Sequence, residues 1–198
     1  MNYLAHLLLA EDSDDARLGA LLGDFVAGSR PLDASPTVWR EILLHRRIDS
    51  YTDAHPFLQA LRTRFPQGRR RYAGIALDVH FDHLLARDWP QHHARPLAEF
   101  TAGVYALLGQ RLPDLPPRLQ AIAPQMAAQD WLGSYRHRSS VDHALHRIAG
   151  RLTRGEGLID CLPLLSAHEA EIEAAFGRFL PELRDFVVNE RARLLAET

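Results

Sequence analysis

His45, Asp49 and Asp53 recur at every fourth position in the run His45-Arg46-Arg47-Ile48-Asp49-Ser50-Tyr51-Thr52-Asp53. On a helix that spacing lines an imidazole and two carboxylates along one face. A neutral imidazole one turn from a carboxylate can hold a divalent cation without bending the backbone. A second run, Asp78-Val79-His80-Phe81-Asp82-His83, again sets carboxylates four apart and adds a histidine beside the second. Carboxylates on adjacent turns repel unless a cation, a proton or solvent screens them. One such pair is ordinarily a feature of an exposed helix surface. Two in one small chain point to a metal site.

Two further residues join them. His6 is set among leucines, and Asp24 falls between Leu21-Leu22-Gly23 and Phe25-Val26, where solvation of a carboxylate is not assured. Buried imidazoles and carboxylates are expensive unless paired or metal-bound. The candidate ligands are therefore Asp24, His45, Asp49, Asp78, Asp82, His83 and His6, with Asp24, His45, Asp49 and Asp82 as the candidate catalytic set. Asp53 ranks lower, because local hydrogen bonds account for an aspartate at a helix end. A donor set of imidazole and carboxylate without thiolate suits Mn²⁺, Mg²⁺ or Fe²⁺ at least as well as zinc. Such an ion activates water and neutralises charge on a phosphoryl oxygen. No Walker loop, dinucleotide fingerprint or G-x-S-x-G elbow is present, so metal-assisted hydrolysis is the leading chemistry.

Helices must position these groups. Apolar residues 2–10 suggest a short buried helix, and Asp12 to Asp15 cap a second one from Ala16 to about Val26. Gly19 and Gly23 on that helix permit close backbone packing. A loop rich in Gly, Ser and Pro spans residues 28–36. A third helix follows from about Thr37 to Asp53, a fourth from Pro56 to about Phe65, and the Asp78 helix extends to about Asp88-Trp89. Pro96 opens a helix with 3.6-residue periodicity, and further helices are expected around 118–131, 140–153, 160–178 and 181–195. The expectation is an all-α fold, a single helical bundle domain over residues 1–198. The proline-rich 113–117 region and the turn 154–157 read as loops.

Composition narrows the function class. With 198 residues and 46% hydrophobic residues, the chain suits one domain with a substantial core. No apolar run approaches the roughly 20 residues of a membrane span, and the opening residues lack the features of a signal peptide, so a cytoplasmic protein with no membrane partner is expected. Cys161 is the only cysteine, which leaves no internal disulfide and no thiolate cluster. A formal net charge of −2 argues for no nucleic-acid partner. All 23 basic side chains are arginine, which suits forked recognition of phosphate or carboxylate. Arg46 and Arg47 flank the proposed ligands, while Arg62, Arg64, Arg69, Arg70 and Arg71 crowd into ten positions. A charge run is usually a solvated face, but beside a phosphate-competent site it favours an acidic substrate. Arg46, Arg47, Arg69, Arg70 and Arg71 are the candidate substrate-binding residues. Arg136-His137-Arg138, His92-His93, His143 and His146 read as surface.

Taken in order, Asn2-Tyr3-Leu4-Ala5-His6-Leu7, Gly23-Asp24-Phe25-Val26, His45-Arg46-Arg47-Ile48-Asp49 with Thr52-Asp53, and Asp78-Val79 followed by Asp82-His83 closely resemble the acyl carrier protein phosphodiesterase family. Asp130-Trp131-Leu132 and Tyr135 also look like that family, and the likeness covers nearly the full length. The resemblance implies a helical hydrolase, related to the HD-type metal phosphohydrolases and activated by manganese. Its implied reaction removes 4′-phosphopantetheine from holo-acyl carrier protein, a small, strongly acidic partner. The chain has no His-Asp dipeptide; its adjacent pair reads Asp82-His83, so ligands are not assigned by analogy to ordinary HD enzymes. Two other readings stay open at this point: a metal-dependent phosphohydrolase of a nucleotide or another small phosphodiester, and a non-catalytic helical binding module.

Overall fold

The computed structural model describes residues 1–31 and 33–197. Twelve α-helices follow one another among these residues, with single 3₁₀ turns at Trp89–Gln91 and Leu112–Asp114 and no strand. The first five carry the candidate ligands: α1 (Tyr3–Leu9), α2 (Asp14–Leu22), α3 (Pro36–Ala54), α4 (Pro56–Thr63) and α5 (Arg70–Arg87). The rest are α6 (Leu97–Gln110), α7 (Pro117–Ala128), α8 (Trp131–Ser134), α9 (Ser139–Ala149), α10 (Glu156–Ile159), α11 (Leu162–Ala167) and α12 (Glu169–Ala196).

Local chemistry sets the helix starts. The Ser13 hydroxyl accepts from the Ala16 amide at 3.2 Å, and the Ser35 hydroxyl accepts from Val38 at 3.2 Å. Pro36, Pro56 and Pro117 each occupy the first helical position, where a missing N–H costs nothing and φ is already set. Several expected boundaries differ: α9 ends at Ala149 rather than near 153, the turn expected at 154–157 runs into α10, and the helix expected over 160–178 is broken between α11 and α12. Helix α2 stops at Leu22, four residues early, and turns at Gly23, which swings Asp24 out of the helix. The expected break before Pro181 is absent, because α12 runs through it. Pro181 removes one hydrogen bond, but Phe176, Phe179, Leu180 and Leu183 around it are all buried. Burial of each such side chain stabilises by about 1.5–3 kcal/mol, which matches or exceeds the local defect.

The core is continuous from α1 to α12. Helices α2 and α3 make the most extensive pairing, α12 lies along α3, and α1 bridges α2 and α5. Gly19 makes the α2–α3 approach possible: a Cβ there would lie 2.5 Å from the Val38 carbonyl oxygen. Helix α1 has only seven residues, too short to persist alone, and it is held at both ends. The Asp82 carboxylate of α5 accepts from the Leu4 amide at 2.9 Å and the Ala5 amide at 3.0 Å. At the other end, Arg191 of α12 donates to the Leu9 carbonyl at 2.7 Å and to the buried Glu41 at 3.1 Å.

Candidate metal centre

With α1 fixed across α2 and α5, His6 stacks on His45 of α3, with ring centroids 3.6 Å apart and planes within 11°. A flat pair needs space on its far side, and Gly23 provides it. A Cβ at Gly23 would fall 2.1 Å from the His45 ring. The ring is oriented by its Nδ1, which donates to the Ala20 carbonyl at 2.7 Å, since a carbonyl can only accept. His45 Nε2 therefore faces Asp49 at 3.3 Å and Asp24 at 3.6 Å. His6 Nε2 meets the other Asp49 oxygen at 3.1 Å. Donor atoms of His6, His45 and Asp49 all lie within 4.8 Å of one another.

Asp78 closes the group from α5. The Met1 ammonium lies between Asp49 at 3.1 Å and Asp78 at 3.3 Å. Exposure grades across the cluster, from 45% for Asp24 through 39% for Asp49 to 25% for Asp78. The edge open to solvent is therefore the Asp24 edge.

The electrostatics call for positive charge at this point. Burial opposes protonation of His45, but hydrogen bonds and charge from Asp24 and Asp49 outweigh it and raise its pKa to about 9. Burial would raise Asp49; bonds from His45 and His6 override it and hold the carboxyl well below its usual range. His6 goes the other way: burial, then the charge of His45, lowers it to about 4. Burial raises Asp78, against the neighbouring ammonium. For the ammonium itself burial is the largest effect and lowers the pKa, yet Asp78 and Asp49 together lift it to about 10. A divalent cation fits such a set: nitrogen and oxygen donors, no thiolate, two imidazoles with converging Nε2 atoms, and a buried His6 Nδ1 without a hydrogen-bond partner among the described residues.

Two expected ligands stand apart. Asp82 is fully buried, and both its oxygens are taken up by the α1 amides. Burial pushes it up to about 7, while those amides pull it back. His83 sits on another face of α5 and donates from Nδ1 to the Tyr135 carbonyl at 2.7 Å; burial lowers its pKa. Asp53 is paired with Arg62 at 2.5 Å.

The arginines also sort themselves. Arg46 donates to the carbonyls of Val26 at 2.8 Å and Gly28 at 3.0 Å and lies over Trp39, so it ties down the loop after Asp24. Arg47 faces Glu190 of α12. Arg64 pairs with Glu171 and Arg69 with Asp160. Arg70 donates to the Phe65 carbonyl and Arg71 lies over Tyr72; neither has a carboxylate in ion-pair range among the described residues. With Arg62, Asp53, Gly74, Ile75 and Asp78 they line a recess of about 340 Å³ that reaches the cluster at Asp78. His143 and His146 are exposed, as their sequence context implies. The Ala20 carbonyl that orients His45 has no side-chain signature and could not be read from sequence. Gly23, marked there only for close packing, carried the usable signal.

A family model described as acyl carrier protein phosphodiesterase matches residues 1–183. Proteins named acyl carrier protein phosphodiesterase from Salmonella dublin, Salmonella agona and Salmonella newport are each 38% identical over 184 residues, or 92% of this chain and 95% of each relative. No solved structure matches.

Proposed function

The chain belongs to the acyl carrier protein phosphodiesterase family, and on that premise we propose that it hydrolyses the phosphodiester joining 4′-phosphopantetheine to a serine of holo-acyl carrier protein. Water adds to phosphorus, the bond to the serine oxygen breaks, and that oxygen takes a proton. The products are the apo carrier and 4′-phosphopantetheine. The observation that carries this reading is the convergence of His6, His45 and Asp49, flanked by Asp24 and Asp78, at an edge open to solvent. The all-helical scaffold and the His/Asp donor set support its kinship with HD-type phosphohydrolases.

His6, His45 and Asp49 would hold the cation, with Asp24 and Asp78 completing its surroundings; Mn²⁺ is the proposed ion, and Mg²⁺ or Fe²⁺ suit the same donors. When bound, that ion supplies Lewis-acid activation of water and screening of phosphoryl charge. The chain's own groups do the rest. The Ala20 carbonyl and the gap at Gly23 keep His45 Nε2 aimed at the centre. Asp24, the most exposed acid of the cluster, would accept a hydrogen bond from the attacking water. Arg70 and Arg71, whose charges are not neutralised by a carboxylate, are suited to donate to amide and phosphoryl oxygens of an arm lying in the recess beside Asp78.

Incubation of the purified chain with holo-acyl carrier protein and Mn²⁺ tests the proposal by intact mass. The expected result is loss of the phosphopantetheine arm, abolished by a chelator and restored by added Mn²⁺. An unchanged carrier mass, with turnover of nucleotide or simple phosphodiesters instead, would overturn it.

A further inference from the structure

The open edge of the centre has a border of its own. Asp24 is followed by Phe25, which stacks on Tyr3 at 6.2 Å. Arg118 of α7 lies over Phe25 at 5.7 Å, and Arg147 of α9 lies over Trp131 at 4.2 Å. Tyr3, Trp131, Arg147 and Arg151 line one cleft between α1, α8 and α9. These contacts and the shared wall join Arg118, Phe25, Tyr3, Arg151 and Arg147 into one strip beside Asp24, with the buried Trp131 under Arg147. Among the described residues, none of the three guanidinium groups has a carboxylate in ion-pair range, whereas Arg62, Arg64 and Arg69 of the conspicuous 62–71 run all do. Free positive charge borders the open ligand, and the run is largely neutralised.

We propose that this strip, rather than the 62–71 run, docks the acidic face of the carrier protein. The inference rests on the reading of the substrate given above. The bond to be cleaved is one serine side chain away from the carrier's main chain. The carrier's surface must therefore press against whatever borders the exposed side of the centre, while the arm extends away from it. The exposed guanidinium groups of Arg118 and Arg151 present charge for steering, and the half-buried rings of Tyr3 and Phe25 present flat apolar area for contact. An acidic helical partner matches both.

Two measurements on the full, Mn²⁺-loaded chain separate the outcomes. The first is binding of fluorescently labelled apo carrier, which needs no turnover. The second is kcat/KM on holo carrier and on a minimal phosphopantetheinyl-serine diester. The double reversal Arg118→Glu/Arg151→Glu should weaken carrier binding by about tenfold or more and lower kcat/KM on the carrier in step, mainly through association. The minimal diester should be turned over within about twofold of the unaltered chain. Arg64→Glu, outside the strip, should leave both substrates unchanged. Carrier binding indifferent to the double reversal, or equal losses on carrier and minimal diester, would overturn the proposal. If the unaltered chain binds carrier through the strip but cleaves neither substrate, the docking surface stands and the hydrolytic reading fails.

Discussion

The chain buries two pairs of histidines, and they have opposite surroundings. His6 and His45 stack face to face, with both Nε2 atoms turned to the carboxylates of Asp49 and Asp24. His80 and His83, on the far side of α5, meet edge to face at 5.6 Å. There His83 donates to a carbonyl, and neither nitrogen of His80 has a hydrogen-bond partner among the described residues. Burial is the largest effect on His80, and the charges of Arg138, His83 and Arg87 add to it and lower its pKa to about 3. At His83, Glu169 offsets the arginines only in part. Both pairs are out of solvent and both belong to ligand-like motifs. Burial of histidine therefore does not distinguish a metal centre. Converging lone pairs and anionic neighbours do, because they make a positive charge welcome where the arginines of the other pair repel it.

The comparison breaks most sharply by removing donors. His45→Ala or Asp49→Ala should lower turnover of holo carrier on the order of a thousandfold, with helical circular dichroism retained. His83→Ala should lose far less. Equal losses at His45 and His83 would erase the distinction between the pairs. A smaller effect is expected where only orientation changes. Gly23→Ala forces the His45 ring to move, and a displacement near 1 Å costs about a hundredfold in rate; an unaltered rate would mean that the ring angle is unimportant.

Asp82 sharpens the boundary of the first pair. Asp82→Asn leaves one oxygen for two amides, so it should cost about 1–3 kcal/mol in denaturant unfolding. Because the residue acts through α1 and His6, Mn²⁺ affinity should fall about 10–100-fold, and excess Mn²⁺ should restore the rate. Failure of excess metal to rescue would return Asp82 to the ligand set. The smallest change is expected at the second pair. His80→Leu replaces an imidazole without a partner by an apolar group and should raise stability by roughly 1 kcal/mol with activity unchanged. A loss of stability would show that His80 has a partner in solution.

These contrasts also show what the sequence could disclose. The spacing of His45 and Asp49 placed both on one helical face, and the long α3 that carries them spans the expected range. Helix α5 resisted the same logic. Twelve of its eighteen residues are buried, from Tyr72 through Ala86. With apolar side chains all round it, periodicity could not say which of Asp78, Asp82 and His83 faced α1. The arginine run was opaque for a related reason. Arg64 and Arg69 are paired with Glu171 and Asp160, about a hundred residues away, and no local pattern connects Arg118 over Phe25, or Arg151 in the cleft beside Tyr3, to Asp24. Short-range spacing was legible; the phase of a buried helix and the identity of distant counter-charges were not.

The double anchoring of α1 sets a timetable for synthesis. His6 emerges among the first residues, but its helix is held by Asp82, 77 positions after Ala5, and by Arg191, 182 positions after Leu9. At roughly 5–20 residues per second, about 10–40 s pass between translation of His6 and of the side chain that secures the end of its helix. The candidate ligands on α3 are thus made early, with their stacking partner still unanchored, and a nascent chain stalled before Arg191 would carry an incomplete cluster. The cluster is complete only with the last helix.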